Sequence, residues 1–122
     1  MRQKKSSRRL AVPALFVTLP SEQADQTEAA LQAKGLDVTR AENICYAEMF
    51  AEAQRFEAAV YDRSHSQQEQ ASLARVMRIR WPWMRIIRFV SAGEELLDDA
   101  LFDCSAVSAA ELAACVERSL AG

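Results

Sequence analysis

The stretch Arg55-Phe-Glu-Ala-Ala-Val-Tyr-Asp62 (RFEAAVYD) decides how the rest of the chain is read. Within it, Ala58–Tyr61 is a short apolar run holding a β-branched and an aromatic residue, the composition of a buried strand. The run stops at Asp62. Soon after, Ser66-Gln-Gln-Glu69 has the form of a capping box, in which a hydroxyl and a carboxylate satisfy free amides at a helix start. The helix it opens carries Leu73, Val76 and Met77 on one side, and Pro82 ends it because proline has no amide to donate. A strand is thus followed directly by a helix.

The same alternation extends outward in both directions. Upstream, Ala14–Leu19 (ALFVTL) reads as a strand bounded by Pro13 and Pro20. Ser21 caps a helix running to about Lys34, with Glu22 and Asp25 at its positive end and Gly35 as its stop. Leu36–Arg40 is a shorter strand, and Asn43 opens a helix to about Arg55 with Ile44, Ala47, Phe50 and Ala51 along one side. Downstream, Arg85–Val90 (RIIRFV) is a strand, Glu94–Leu101 a short helix, and Cys104–Val107 a weak strand. The final helix, Ala109–Leu120, places Leu112, Val116 and Leu120 on one stripe. Strands alternating with helices predict a parallel sheet covered on both faces and joined by right-handed crossovers.

Composition sets the remaining bounds. The chain has 122 residues, 50% hydrophobic and 26% charged, enough for one domain with a real core. We read residues 1–12 as a basic tail and 13–122 as that domain. The basic start leading into Leu10–Leu19 imitates the opening of a signal peptide, but Pro13 interrupts the apolar run and no small-x-small site follows, so the reading is a tail entering a strand. Net charge is −2, which excludes an overall polyanion binder. Charge is nevertheless blocked: Arg2, Lys4, Lys5, Arg8 and Arg9; then Arg75, Arg78, Arg80, Arg85 and Arg88; then the acids Glu94, Glu95, Asp98, Asp99 and Asp103. Cys45, Cys104 and Cys115 are odd in number and widely spaced. They are expected to be free thiols, each packed as a small core residue, in a reducing cytoplasm.

Four segments carry a resemblance. GLDVTRAEN (35–43), RFEAAVYD (55–62), WPWMRIIRFVSA (81–92) and VSAAELAACVERSL (107–120) occur in the order and spacing of a response-regulator receiver domain. Together they resemble that family over about residues 14–120, in a degenerate, pseudo-receiver form. The resemblance implies an α/β fold: a flavodoxin-like (βα)5 three-layer sandwich, parallel sheet order 2-1-3-4-5, here with a shortened fourth helix. In such sheets ligands bind at the carboxyl ends of the strands, beside the switch between strands one and three.

The resemblance also implies which residues to inspect. A receiver accepts a phosphoryl group on an aspartate, with Mg²⁺ held by acids after strand one, a hydroxyl after strand four and a lysine after strand five. The charge spread over the transferred group must be met by cations, and Mg²⁺ prefers hard carboxylate oxygens. Asp62 matches the phosphoacceptor and Ser91 the hydroxyl. Thr18 and Leu19 stand where the acids belong, and Ser105 where the lysine belongs, and no lysine follows Lys34. Phe102 matches the aromatic of strand five. Losing one charge-stabilising donor commonly costs about 10²–10³ in rate, so Asp62 reads as vestigial, an aspartate that orders its turn. No metal ligand set, cofactor or catalytic residue is expected.

The function expected is a stand-alone signalling module in two-component or phosphorelay signalling that binds a protein partner, is not an enzyme, works in the cytoplasm and touches no membrane. An apolar patch beside the shortened fourth helix would suit a homodimer. One alternative is an unconventional phospho-accepting regulator using Asp62, with Arg63 as the replacement cation. The other is a nucleic-acid accessory using the basic arm and the arginines interleaved with Trp81, Trp83 and Phe89. His65 lacks a second histidine or nearby cysteine for a metal site, and a Ser–His hydrolase would need an orienting acid and an oxyanion hole that no motif supplies.

Overall fold

A computed structural model describes residues 11–121 of the chain. The basic arm at 1–10 lies outside them. Five strands, β1 (Val12–Val17), β2 (Leu36–Ala41), β3 (Ala58–Tyr61), β4 (Arg85–Phe89) and β5 (Cys104–Ala106), form one sheet in the order β2-β1-β3-β4-β5. Every pairing is parallel. Four helices connect and cover them: α1 (Glu22–Ala33), α2 (Ile44–Ala53), α3 (Gln67–Arg80) and α4 (Ala109–Ala121).

Helix boundaries follow local chemistry. Ser21 Oγ accepts the Ala24 amide, Asn43 Oδ1 the Tyr46 amide, and Ser66 and Glu69 close the reciprocal box expected of them. Gly35 takes φ +92°, the left-handed conformation that a side chain disfavours, and so turns α1 into β2. β1 begins earlier than expected. Val12 and Pro13 pair with Leu36 and Asp37, so Pro13 lies within the strand rather than bounding it.

Strand alternation divides the core in two. Leu15, Val17, Ala59, Tyr61 and Ile86 face α2 and α3, against Ala47, Ala51, Leu73, Ala74 and Met77. Ala14, Phe16, Ala58, Val60, Ile87 and Phe89 face α1 and α4, against Ala24, Leu31, Leu112, Cys115 and Val116. The result is a helix–sheet–helix sandwich.

The crossover from β4 to β5 departs from expectation. The helix predicted over Glu94–Leu101 is not formed; only a single 3₁₀ turn, Asp99–Leu101, is present. Glu94 and Asp98, and Glu95 and Asp99, would be like-charged neighbours one helical turn apart, which disfavours a helix. Asp98 instead adopts φ +52°, and Gly93 φ +88°. A second correction concerns the cysteines. Cys104 and Cys115 are joined by a disulfide between β5 and α4, and Cys45 is an exposed free thiol rather than a core residue. The pairing was hidden because the two cysteines, eleven positions apart, belong to different elements that the fold lays side by side.

Candidate functional site

The carboxyl ends of β1 and β3 meet at the switch in strand order. Thr18 leaves β1 and Asp62 leaves β3, and the Asp62 amide donates to the Val17 carbonyl at 2.9 Å, which holds the two exits together. Asp62 is 7% exposed. Thr18 Oγ1 donates to Asp62 Oδ2 at 2.6 Å, the one side-chain hydrogen bond to this carboxylate among the described residues. Ser64 closes the arrangement: its Oγ accepts the Leu19 amide at 3.0 Å and lies 3.3 Å from Thr18 Oγ1. The Leu19 side chain is exposed.

Among the described residues the remaining positions make no hydrogen bond to the Asp62 carboxylate. Ser91 is exposed, and its amide donates to Glu94 Oε1 at 3.0 Å. Ser105 lies within β5, where its hydroxyl accepts from Arg88 Nε at 2.7 Å, on the side of the sheet that carries α2 and α3. Arg63 lays its guanidinium over the Phe89 ring, 4.4 Å from the centroid, at one end of a groove of ≈ 240 Å³ between α1 and α4. Among the described residues no ion pair involves Asp62. Among the described residues no three side chains of His, Cys, Asp or Glu gather to hold a metal ion. A receiver's Mg²⁺ therefore does not fit this end of the sheet: its carboxylate set is reduced to Asp62, already engaged by a neutral hydroxyl.

Polar residues absent from the sequence reading organise the neighbouring strand ends. Gln70 Nε2 donates to the carbonyls of Asp62 at 3.0 Å and Phe89 at 3.1 Å, pinning β3 to β4. Tyr61 OH, His65 Nε2 and Gln70 Oε1 line one small cavity and have no hydrogen-bond partner among the described residues. Burial pushes the Tyr61 phenol far above its ordinary range. His65 Nδ1 faces Glu69 at 3.7 Å, and the Ser66 amide, by bonding the Glu69 carboxylate, lowers that carboxyl below its usual range.

Arg88 is the largest surprise. It is 0% exposed, unlike the other arginines of its block. Its guanidinium bonds Ser105 Oγ, Gln67 Oε1 at 3.2 Å, the Leu97 carbonyl at 2.6 Å and Asp99 Oδ1 at 3.1 Å, and stacks on Phe102. Gln67 also accepts the Leu97 amide at 2.8 Å and donates to the Glu95 carbonyl at 3.0 Å. This knot fastens the 91–101 loop over the sheet where a helix was expected. Phe102, matched to the switching aromatic of receivers, is buried between Arg88 and Tyr61. The other arginines of that block also have internal partners: Arg75 with Asp98, Arg78 with Asp103, Arg80 with Glu48 and Glu52, and Arg85 with the Ser119 carbonyl. They do not form a free basic stripe.

Comparison with solved structures settles the architecture. The chemotaxis response regulator CheY4 of Vibrio cholerae superposes with a TM-score of 0.73 at 17% identity, covering 89% of this chain and 98% of that one. This chain has the receiver fold. The receiver domain of sensor histidine kinase PA1611 from Pseudomonas aeruginosa PAO1, which carries a magnesium ion in its active-site cleft, matches with a TM-score of 0.73 at 21% identity over 92% and 99% of the two chains. A response regulator from Chloroflexus aurantiacus J-10-fl reaches 0.79 at 18% identity over 92% and 99%. No protein-family model and no curated protein matches the receiver-fold chain by sequence. No helix among its described residues is long and apolar enough to cross a membrane.

Proposed function

We propose that this chain is a receiver-fold signalling module that acts by binding a protein partner and does not accept a phosphoryl group. The observation that carries the reading is the Asp62 carboxylate itself: buried, bonded to Thr18 Oγ1 at 2.6 Å, and in no ion pair among the described residues. Phosphoryl transfer to a carboxylate requires cations to meet the charge spread over the equatorial oxygens. Thr18 and Leu19 provide no second carboxylate for a metal, and Ser105 turns its hydroxyl to Arg88. The site therefore works as a staple between β1 and β3.

On this reading the chain is a binding module and not an enzyme, and cytoplasmic placement belongs to the same proposal on the strength of the receiver likeness. The surface most changed from a receiver is the loop at 91–101, where Leu96 and Leu97 are 44% and 43% exposed among Glu94, Glu95 and Asp98. Contact with a partner, or with a second copy, would use this face. A Mg²⁺ titration followed by amide chemical shifts tests the reading: Thr18, Asp62 and Arg63 are expected not to move. A saturable shift centred on Asp62 would overturn it in favour of an unconventional phospho-accepting regulator.

A further inference from the structure

We propose that the Cys104–Cys115 disulfide is a thiol–disulfide exchange site, reduced and re-formed in the folded protein by small thiols, with Arg118 stabilising the thiolate released at Cys104. Three observations converge. The two sulfurs differ in access: Cys104 is half-buried in a hollow of ≈ 340 Å³ lined also by Arg85, Asp103, Arg118 and Ser119, whereas Cys115 is packed at 1% exposure with Leu112 and Val116. The Arg118 guanidinium reaches both sulfurs, Nη2 lying 3.1 Å from Cys104 Sγ and 3.8 Å from Cys115 Sγ. The one acid of the hollow is engaged elsewhere: Asp103 Oδ2 accepts the Ile86 amide at 2.7 Å and pairs with Arg78 at 3.1 Å. A cation unopposed at the sulfurs lowers the pKa of a thiol, and a thiol of lower pKa is the better leaving group in exchange.

The chemistry balances as follows. An incoming thiolate attacks Cys104 Sγ from the hollow; the S–S bond breaks and its electron pair leaves on Cys115 Sγ, which takes a proton. Cys104 now carries a mixed disulfide. A second small thiolate attacks the outer sulfur of that mixed disulfide, releasing Cys104 as a thiolate beside Arg118. Two small thiols become one small disulfide, and the protein gains two electrons. The reverse sequence, driven by a small-molecule disulfide, closes the bond again. Opening it unties α4 from β5, the edge strand of the sheet.

The test uses the full chain carrying Cys45→Ser, because Cys45 is exposed and reacts with any thiol reagent. The folded protein is incubated with reduced glutathione and then with glutathione disulfide, and quenched samples are alkylated and weighed. Reversible gain of two alkylated cysteines is expected without loss of the far-ultraviolet circular dichroism, and the mixed disulfide should map to Cys104. Arg118→Met should slow exchange about threefold to tenfold, with Arg118→Lys restoring most of the rate. The proposal is overturned if the bond opens only on unfolding, if the mixed disulfide maps to Cys115, or if Arg118→Met exchanges at the parent rate.

Discussion

Removing the Arg88 guanidinium should separate two things that this residue does at once, filling the sheet's interior and fastening the 91–101 loop. Its four hydrogen bonds, each worth about 1.5–3 kcal/mol as bonds to a charged group, cannot simply be summed, because desolvating the guanidinium offsets much of that gain. The Asp99 pair contributes least, since that side chain is 66% exposed and water screens it. Arg88→Ala leaves a cavity and unpaired acceptors at Leu97 and Ser105, and is expected to cost about 3–5 kcal/mol, the usual loss when one member of a buried charged network is removed. Arg88→Met refills most of the volume beside Phe102, so its cost should fall to about 1–2 kcal/mol. The loop should respond differently from the global fold. Both variants should lose hydrogen-exchange protection at the Leu97 amide, now held at 2.8 Å by a Gln67 that Arg88 orients. Urea unfolding reads the first quantity and amide exchange the second. The reasoning is refuted if Arg88→Ala costs under about 1 kcal/mol, or if Leu97 keeps its protection in both variants.

Three further outcomes follow from the same geometry. Thr18→Val should destabilise by about 1–3 kcal/mol in urea unfolding, because Asp62 Oδ2 loses its one side-chain donor in a buried position. Tyr61→Phe should be neutral or stabilising by up to about 1 kcal/mol, since its hydroxyl is buried without a partner and stops costing desolvation once removed. Two pH effects have opposite signs. Tyr61 is raised above the unfolded phenol's 10.0, so its ionisation leaves stability unchanged below that pH and lowers it as pH rises further. Glu69 is lowered below 4.5, so its contribution is present above that pH and is lost as pH falls through the folded value; Glu69→Gln should flatten the acid limb of a stability–pH curve.

Nine of the ten expected strands and helices were legible because each is announced locally, by Ser21, Asn43 and Ser66 as caps and by short apolar runs for strands, whereas the sheet order came only from the family resemblance. The exception, the Glu94–Leu101 segment, has composition compatible with a helix but a charge spacing that opposes one, and its path is set by Arg88 of the preceding strand β4, whose guanidinium holds the Leu97 carbonyl. Arg88 stands in the sequence as one more arginine of a charge block, yet it shares the inward face of β4 with Ile86. The buried glutamines had a readable signal: Gln67 and Gln70 lie on the same α3 stripe as Leu73, Ala74 and Met77, where a polar side chain must have a bonding task. Of the site, the positions of Thr18 and Asp62 were legible from the strand ends. Their direct hydrogen bond was not, because side-chain pairing across two strand exits leaves no trace in spacing.

The central claim is a receiver fold whose aspartate has become structural. Incubating the full chain with acetyl phosphate and excess Mg²⁺, then weighing the intact protein, tests it most directly. The account predicts no phosphoryl adduct, in the parent protein or in Asp62→Asn. A stoichiometric adduct that appears with Mg²⁺, maps to Asp62 and disappears in Asp62→Asn would contradict it.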